Sequence, residues 1–224
     1  MTVGSRSKTR VTSGSPFALA AGNDGGCLQR VDLTTGAVET VFTHWDGARI
    51  GSTNDIVFDT TGWCYFVDTT NGTLYYADPR AGVIRCAESG LEFPNGMGLS
   101  PDGTKLYVSE TYSGRLFVWD VVGPGRMANK SELYATGAAH GWDGLAIDGV
   151  GNVCASNLQR SGITVVSSEG EVLGAFVTSI EDTYVTNICF GGADGRTAYI
   201  CSSGRGILYS VRWPWPGLGL NFAR

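Results

Sequence analysis

Asn95-Gly-Met-Gly-Leu-Ser-Pro-Asp-Gly103 sets how this chain is read. A polar residue opens the stretch, an apolar strand follows, and Pro101-Asp-Gly103 turns the chain into a second apolar run, Lys105–Ser109. The turn has a physical basis: proline fixes φ and glycine tolerates φ > 0. Working outward, the same pattern recurs three times. It reads Asn54-Asp-Ile-Val-Phe-Asp-Thr-Thr-Gly62 upstream. Downstream it reads Asp143-Gly-Leu-Ala-Ile-Asp-Gly-Val-Gly151 and Thr186-Asn-Ile-Cys-Phe-Gly-Gly-Ala-Asp-Gly195. The four starts are 41, 48 and 43 residues apart. Repeats of roughly 40–50 residues, each with several short strands, mark the blades of a β-propeller. The first strand of every blade lines the central channel, so the openers Asn54, Asn95 and Asp143 are expected to converge on one small space. Three oxygen-bearing side chains meeting at a channel mouth suit a metal ion.

The strands between the openers follow period-2 patterns with turn signals between them. Three complete blades are expected: one from Asp55 to Cys86, one from Gly96 to Ala135 and one from Gly144 to Phe176. Phe17–Ala21, Cys27–Leu33 and Val38–His44 make an opening blade of three strands; Asn187–Phe190, Thr197–Cys201 and Ile207–Trp213 make a closing one. The expected fold is all-β, a six-bladed propeller architecture that is incomplete here, with about four to five blades and the first blade missing. Residues 1–15 are polar and basic and are expected to be disordered. Residues 16–224 are expected to form a single, partial propeller domain. Open sheet edges would invite self-association.

Composition narrows the function classes. Glycine supplies 33 of 224 residues, about twice the usual ~7% share, as tight turns every few residues require. The net charge is −5 and the basic residues form no long run, so nucleic-acid binding has no electrostatic footprint. No apolar stretch approaches the roughly 20 residues of a membrane span, and no apolar h-region of a secretory signal stands at the N-terminus. None of the six cysteines forms a Cys-x-x-Cys pair. Cys64, Cys154, Cys189 and Cys201 lie among apolar strand neighbours and are expected to be buried free thiols, which suits a reducing, cytoplasmic setting.

The chain resembles the SMP-30/gluconolactonase family, whose members are six-bladed propellers that bind a divalent metal and hydrolyse lactones. The resemblance is strongest in Phe93-Pro-Asn-Gly-Met-Gly-Leu-Ser-Pro-Asp-Gly-Thr-Lys-Leu-Tyr-Val-Ser-Glu-Thr111, in Asp143-Gly-Leu-Ala-Ile-Asp148 and in Thr186-Asn-Ile-Cys-Phe-Gly-Gly192. The ending Arg212-Trp-Pro-Trp-Pro-Gly-Leu-Gly-Leu-Asn-Phe222 looks like the family's terminus. The resemblance implies that Asn95 is a metal ligand, that Asp143 is a ligand and the catalytic general base, and that Asn54 contacts metal or substrate. It implies a small sugar lactone as substrate and a divalent cofactor, Ca²⁺ foremost, with Mg²⁺, Mn²⁺ or Zn²⁺ as alternatives. Three departures stand out. The family's Glu-Gly-Pro motif, source of its first metal ligand, does not occur. Trp142 replaces the proline before the aspartate. Ser52-Thr53 stand where some members carry a substrate-binding arginine.

The chemistry is consistent with these residues. Lactone hydrolysis needs an electrophile at the carbonyl oxygen and an activated water, and a divalent cation supplies both. Asparagine carbonyls and a carboxylate are hard oxygen ligands. His140, three residues before Asp143, is expected at the channel mouth as a substrate contact. His44 reads as a surface histidine, and Asp102, Asp148 and Asp194 as turn residues. Asp68 and Glu110 are expected either behind the site or in solvent. No Gly-x-Ser-x-Gly elbow supports a serine hydrolase. Two readings compete with the lactonase. One is a non-catalytic propeller remnant or binding scaffold; the other is a metal-free propeller of the strictosidine-synthase type, with a channel acid doing the chemistry.

Overall fold

The computed structural model describes residues 2–3, 9–14, 25–137 and 141–221, the first two stretches through their backbone alone. Every regular element among these residues is a β-strand. Among the described residues no helix is long and apolar enough to cross a membrane. The chain divides into two compact units. One comprises Met1–Pro94 with Gly123–Arg126 and Leu220–Arg224; the other comprises Asn95–Val122 and Met127–Gly219.

In the first unit, β1 (Thr2–Val3), β2 (Thr9–Gly14), β3 (Cys27–Asp32) and β4 (Val38–Phe42) form one antiparallel sheet in chain order. A short hairpin follows, β5 (His44–Trp45) with β6 (Ala48–Arg49). A second four-stranded meander is built from β7 (Thr53–Phe58), β8 (Cys64–Asp68), β9 (Thr73–Asp78) and β10 (Val83–Glu88). Leu28 and Phe42 of the first sheet pack with Phe58, Phe66 and Tyr75 of the second, so the alternating aromatics do face a neighbouring sheet. The strand expected at 17–21 lies outside the described residues.

The second unit repeats the design. Its first sheet is β11 (Pro94–Leu99), β12 (Lys105–Glu110), β13 (Arg115–Gly123) and β14 (Arg126–Ala135). The next is β15 (Trp142–Ile147), β16 (Val153–Asn157), β17 (Gly162–Val166) and β18 (Val172–Val177). The last is three-stranded: β19 (Val185–Gly191), β20 (Thr197–Ser202) and β21 (Ile207–Arg212). Four-stranded antiparallel meanders in series are propeller blades. Tyr107, Leu116 and Val118 pack against Trp142, Leu145 and Ile147 of the following sheet. Cys154, Ile163 and Val165 pack in turn against Ile188, Ala198 and Ile200. The outermost strand β14 starts six residues before the expected Glu132. Its polar run hides the strand period; Lys130 is seated over the Phe117 and Trp119 rings at 4.4 and 5.1 Å, which holds that run in the sheet.

The C-terminal segment is a strap across two turns. Gly149 N–H donates to Pro216 O (2.7 Å), Gly217 N–H to Gly195 O (2.8 Å) and Leu218 N–H to Ile147 O (3.1 Å). Asp148 sits at one end of the strap, fully buried, and accepts from Val150 N, Asn152 N and Asn152 Nδ2 at 2.8–3.0 Å. This is the structural turn role expected of it. Asp102 has the same role, accepting from Ser100 and Thr104.

The cysteine expectation needs one correction. Cys64 and Cys154 are buried, but Cys189 and Cys201 are exposed. Alternation explains this: Ile188 and Ile200 take the core face of β19 and β20, which turns the adjacent cysteines outward.

Candidate functional site

Three of the four repeat openers, Asn54, Asp143 and Thr186, sit at an irregularity in their strands. The β7–β8 register shifts between Thr53 and Ile56, the β15–β16 register between Trp142 and Leu145, and the β19–β20 register between Val185 and Asn187. In all three, one extra residue enters the inner strand where the polar opener stands. A bulge re-aims the side chain it contains and is common beside active sites. The extra residue breaks the in-out alternation and frees Asp143 from the sheet-face pattern.

Asn95 and Asp143 meet. Asn95 is buried, and its amide donates from Nδ2 to Thr111 Oγ1 at 3.1 Å and to the Asp143 carboxylate. Their strands approach closely because residue 96 is glycine. A Cβ there would lie 2.5 Å from Leu145 N and 2.7 Å from Asp143 O. Burial pushes the Asp143 carboxyl up to about 6; hydrogen bonds from Asn95 and from the Gly144 N–H pull the other way and lose. Among the described residues no basic side chain pairs with Asp143.

Two serines hold this arrangement. Ser109 Oγ accepts the Gly96 N–H at 2.8 Å and donates to Asp143 O at 2.8 Å. One sheet further on, Ser156 Oγ lies 2.7 Å from Gly144 O and 3.0 Å from Thr186 O. Each hydroxyl therefore joins its own inner strand to the next one. Sequence reading missed both serines, as well as Thr111. The signal available was register: Ser109-Glu110 and Ser156-Asn157 close the second strands of successive repeats. Removing either hydroxyl leaves buried carbonyls without a donor, a cost of about 1–3 kcal/mol. Ser109→Ala and Ser156→Ala are each expected to melt several degrees below wild type, with about 2–4 °C lost per kcal/mol at this chain length. A wild-type melting temperature in both would show that the clasps contribute nothing.

Asn54 belongs to the first unit, where it is half-buried in the bulge of β7. His140 lies outside the described residues. Asp68 and Glu110 are buried, not solvated. Asp68 accepts Gly51 N–H (2.6 Å) and Asn71 N–H (3.1 Å), and Ser113 Oγ donates to Glu110 (2.6 Å), so each acid caps the turn after its strand. Trp142 is fully buried, with Tyr134 edge-on to it at 6.2 Å.

The donor set tests whether a cation fits. No group of three or more His, Cys, Asp or Glu side chains able to hold a metal occurs among the described residues. Asn95 and Asp143 nonetheless offer hard oxygens, and the half-buried carboxylate is partly desolvated with no basic side chain paired to it among the described residues. A half-buried carboxylate held by neutral donors and by no basic side chain is the electrostatic setting that a divalent ion relieves. Two protein oxygens are a minority of the roughly six to eight that Ca²⁺ takes.

Known proteins share both the sequence pattern and the fold. The model of the SMP-30/gluconolactonase/LRE-like region matches residues 7–204. A gluconolactonase of Zymomonas mobilis is 32% identical over 199 residues, covering 79% of this chain and 55% of the relative. A pentonolactonase, XacC, of Haloferax volcanii is 27% identical over 165 residues, covering 67% and 53%. The chain thus spans about half the length of the curated relatives it matches. Among solved structures, a gluconolactonase of Xanthomonas campestris superposes with a TM-score of 0.72 at 22% identity, over 84% of this chain and 68% of that one. A regucalcin of Agrobacterium tumefaciens, described as calcium-binding, gives 0.74 at 16% identity, over 90% and 74%. At those identities the structures speak for the fold alone.

Proposed function

The chain belongs to the SMP-30/gluconolactonase/LRE-like family, and on that premise we propose that it acts as a sugar-lactone hydrolase with Asp143 at its centre. The observation that carries the reading is the bulged, desolvated Asp143 joined to Asn95 on the neighbouring inner strand. Similarity to a gluconolactonase and a pentonolactonase supports a small cyclic ester as substrate.

Hydrolysis adds water across the ring ester: a water oxygen bonds to the carbonyl carbon, the ring C–O bond breaks, and a hydroxy acid leaves. Asp143 Oδ takes the proton from the attacking water and passes it to the departing ring oxygen, which leaves as the hydroxyl of the product. The Gly144 N–H and the Asn95 amide hold that carboxylate in place, and Thr111 Oγ1 holds the amide. Asn95 and Asp143 are the residues that would hold a divalent metal, Ca²⁺ in the first instance; when bound, such an ion polarises the carbonyl and acidifies water. Asn54 and His140 are proposed substrate contacts, Asn54 also as a metal contact. Free thiols accord with a cytoplasmic location.

A competing reading is a metal-free propeller in which a channel acid acts alone. One experiment addresses both: glucono-lactone hydrolysis by the purified chain, with and without EDTA, then with Ca²⁺ restored, alongside elemental analysis. Chelation is expected to abolish turnover and added Ca²⁺ to return it. Turnover indifferent to EDTA in a metal-free sample would eliminate the metal, and no turnover of any lactone would eliminate the hydrolase.

A further inference from the structure

The fourth repeat carries a polar side chain, Asn187, one position after its opener. Its opener, Thr186, is occupied elsewhere: the Thr186 Oγ1 lies 2.6 Å from Ser203 Oγ. The bulge in β19 instead brings out the next residue, Asn187, which is exposed. Asn187 Oδ1 accepts the N–H of Ile188 at 2.8 Å, and this bond fixes the plane of the amide. A Cβ built on Gly144 would lie 2.6 Å from Asn187 Cγ, 2.7 Å from Oδ1 and 2.8 Å from Nδ2. The amide therefore rests on the Gly144 backbone, in the space a side chain at 144 would need. Gly144 is also the residue whose N–H holds the Asp143 carboxylate. The Ser156 clasp joins the Gly144 and Thr186 carbonyls, so the two strands keep this spacing. With Oδ1 holding the Ile188 N–H, the amide offers Nδ2 as its donor, on a residue exposed to solvent.

We propose that Asn187 is a specificity-determining residue, one that donates from Nδ2 to a hydroxyl oxygen of a polyhydroxylated lactone bound over Asp143 and Gly144. The assignment rests on the lactone-hydrolase reading and narrows it to hydroxyl-bearing rings. Three properties suit the amide to that task. It is held in orientation before substrate arrives, so little is lost in ordering it. It is neutral at every working pH, so it adds no charge beside an already uncompensated carboxylate. It donates to an oxygen, which a plain hydrocarbon ring does not offer at that position. A site built to hydrogen-bond a substrate hydroxyl disfavours the analogue that lacks it.

The test compares D-glucono-1,5-lactone with δ-valerolactone, the same six-membered ring without hydroxyls, in wild type, Asn187→Ala and Asn187→Ser. Asn187→Ala is expected to raise KM for the glucono-lactone roughly three- to tenfold, the size of one neutral hydrogen bond, with kcat little changed. Its constants for δ-valerolactone should match wild type, and the serine variant, with a shorter donor, should fall between. A parallel loss on both lactones would mean a structural role, and no loss on either would mean no contact; each overturns the assignment while leaving the hydrolase intact. Calorimetric titration with D-gluconate, the ring-opened acid, separates the two ideas. If wild type hydrolyses neither lactone yet binds gluconate, and Asn187→Ala weakens that binding by the same factor, the hydrolase reading fails and Asn187 stands as a polyol contact. Gluconate affinity that ignores the substitution, or no gluconate binding at all, overturns the assignment.

Discussion

Asp143→Asn is expected to abolish lactone hydrolysis and, at the same time, to raise the melting temperature of the metal-free protein. The first effect follows from removing the proposed base, worth about 10²–10⁴ in rate. The second follows from burial. The carboxyl rises from its ordinary 3.8 to about 6 in the fold, so the folded state binds this proton more tightly than the unfolded one. Stability from this group is then fully present below about pH 4 and is lost as pH rises through about 6, by on the order of 2–3 kcal/mol. Asparagine keeps an oxygen for the Asn95 and Gly144 donors and carries no charge to desolvate. In EDTA at pH 7.5 the variant should melt roughly 4–8 °C above wild type, and at pH 4 the two should coincide. Added Ca²⁺ should raise wild type and leave the variant where it was. Equal melting at pH 7.5 would mean that Asp143 is not a buried, uncompensated charge, and the electrostatic case for a cation would go with it.

Gly217→Ala is expected to be the most damaging conservative change at the C-terminus. A Cβ at this position would lie 2.1 Å from Phe190 Cβ and 2.3 Å from Phe190 Cγ. The ring cannot retreat freely, since Trp213 stands edge-on to it at 5.9 Å and is buried in the core of the last two sheets. The strap must lift instead, releasing the Gly217–Gly195 and Leu218–Ile147 bonds and the pairing of Gly217 with Asp148. Overpacking of this kind costs about 1–3 kcal/mol and each exposed bond adds to it, so a loss of about 3–4 kcal/mol is expected. Chemical denaturation with tryptophan fluorescence reads it directly, because Trp213 and Trp215 lead straight into the strap. A midpoint within error of wild type would show that the strap carries no stability.

Much of the fold was legible because the repeat is covalent. The period from Asn54 to Asn95 to Asp143 fixes which strand is innermost, and Cys64–Asp68 follows from alternation and turn residues alone. The pairing of Asn95 with Asp143 was legible for the same reason. The bulges were not, since one extra residue leaves no compositional trace. Cys189 and Cys201 were misplaced because apolar neighbours were read without their phase. Asp182 escaped notice for a different reason. It lies in an aperiodic loop, yet it is buried and accepts from Ser202 Oγ, Tyr184 N and Arg205 N. Ser109 and Ser156 are ordinary strand-end serines until the topology shows that each hydroxyl bridges two inner strands.

Those bridging hydroxyls bear on how the second unit can move. A blade that swung or slid against its neighbour would break a contact to both strands in one step, with buried carbonyls left bare on either side. Motion in the second unit is therefore easier in the turns that join these strands than between the inner strands themselves, which stay as stiff as a packed core. Much of the entropy of gathering Asn95, Asp143 and Asn187 is lost once, when the chain folds, and is not charged again to each molecule that binds.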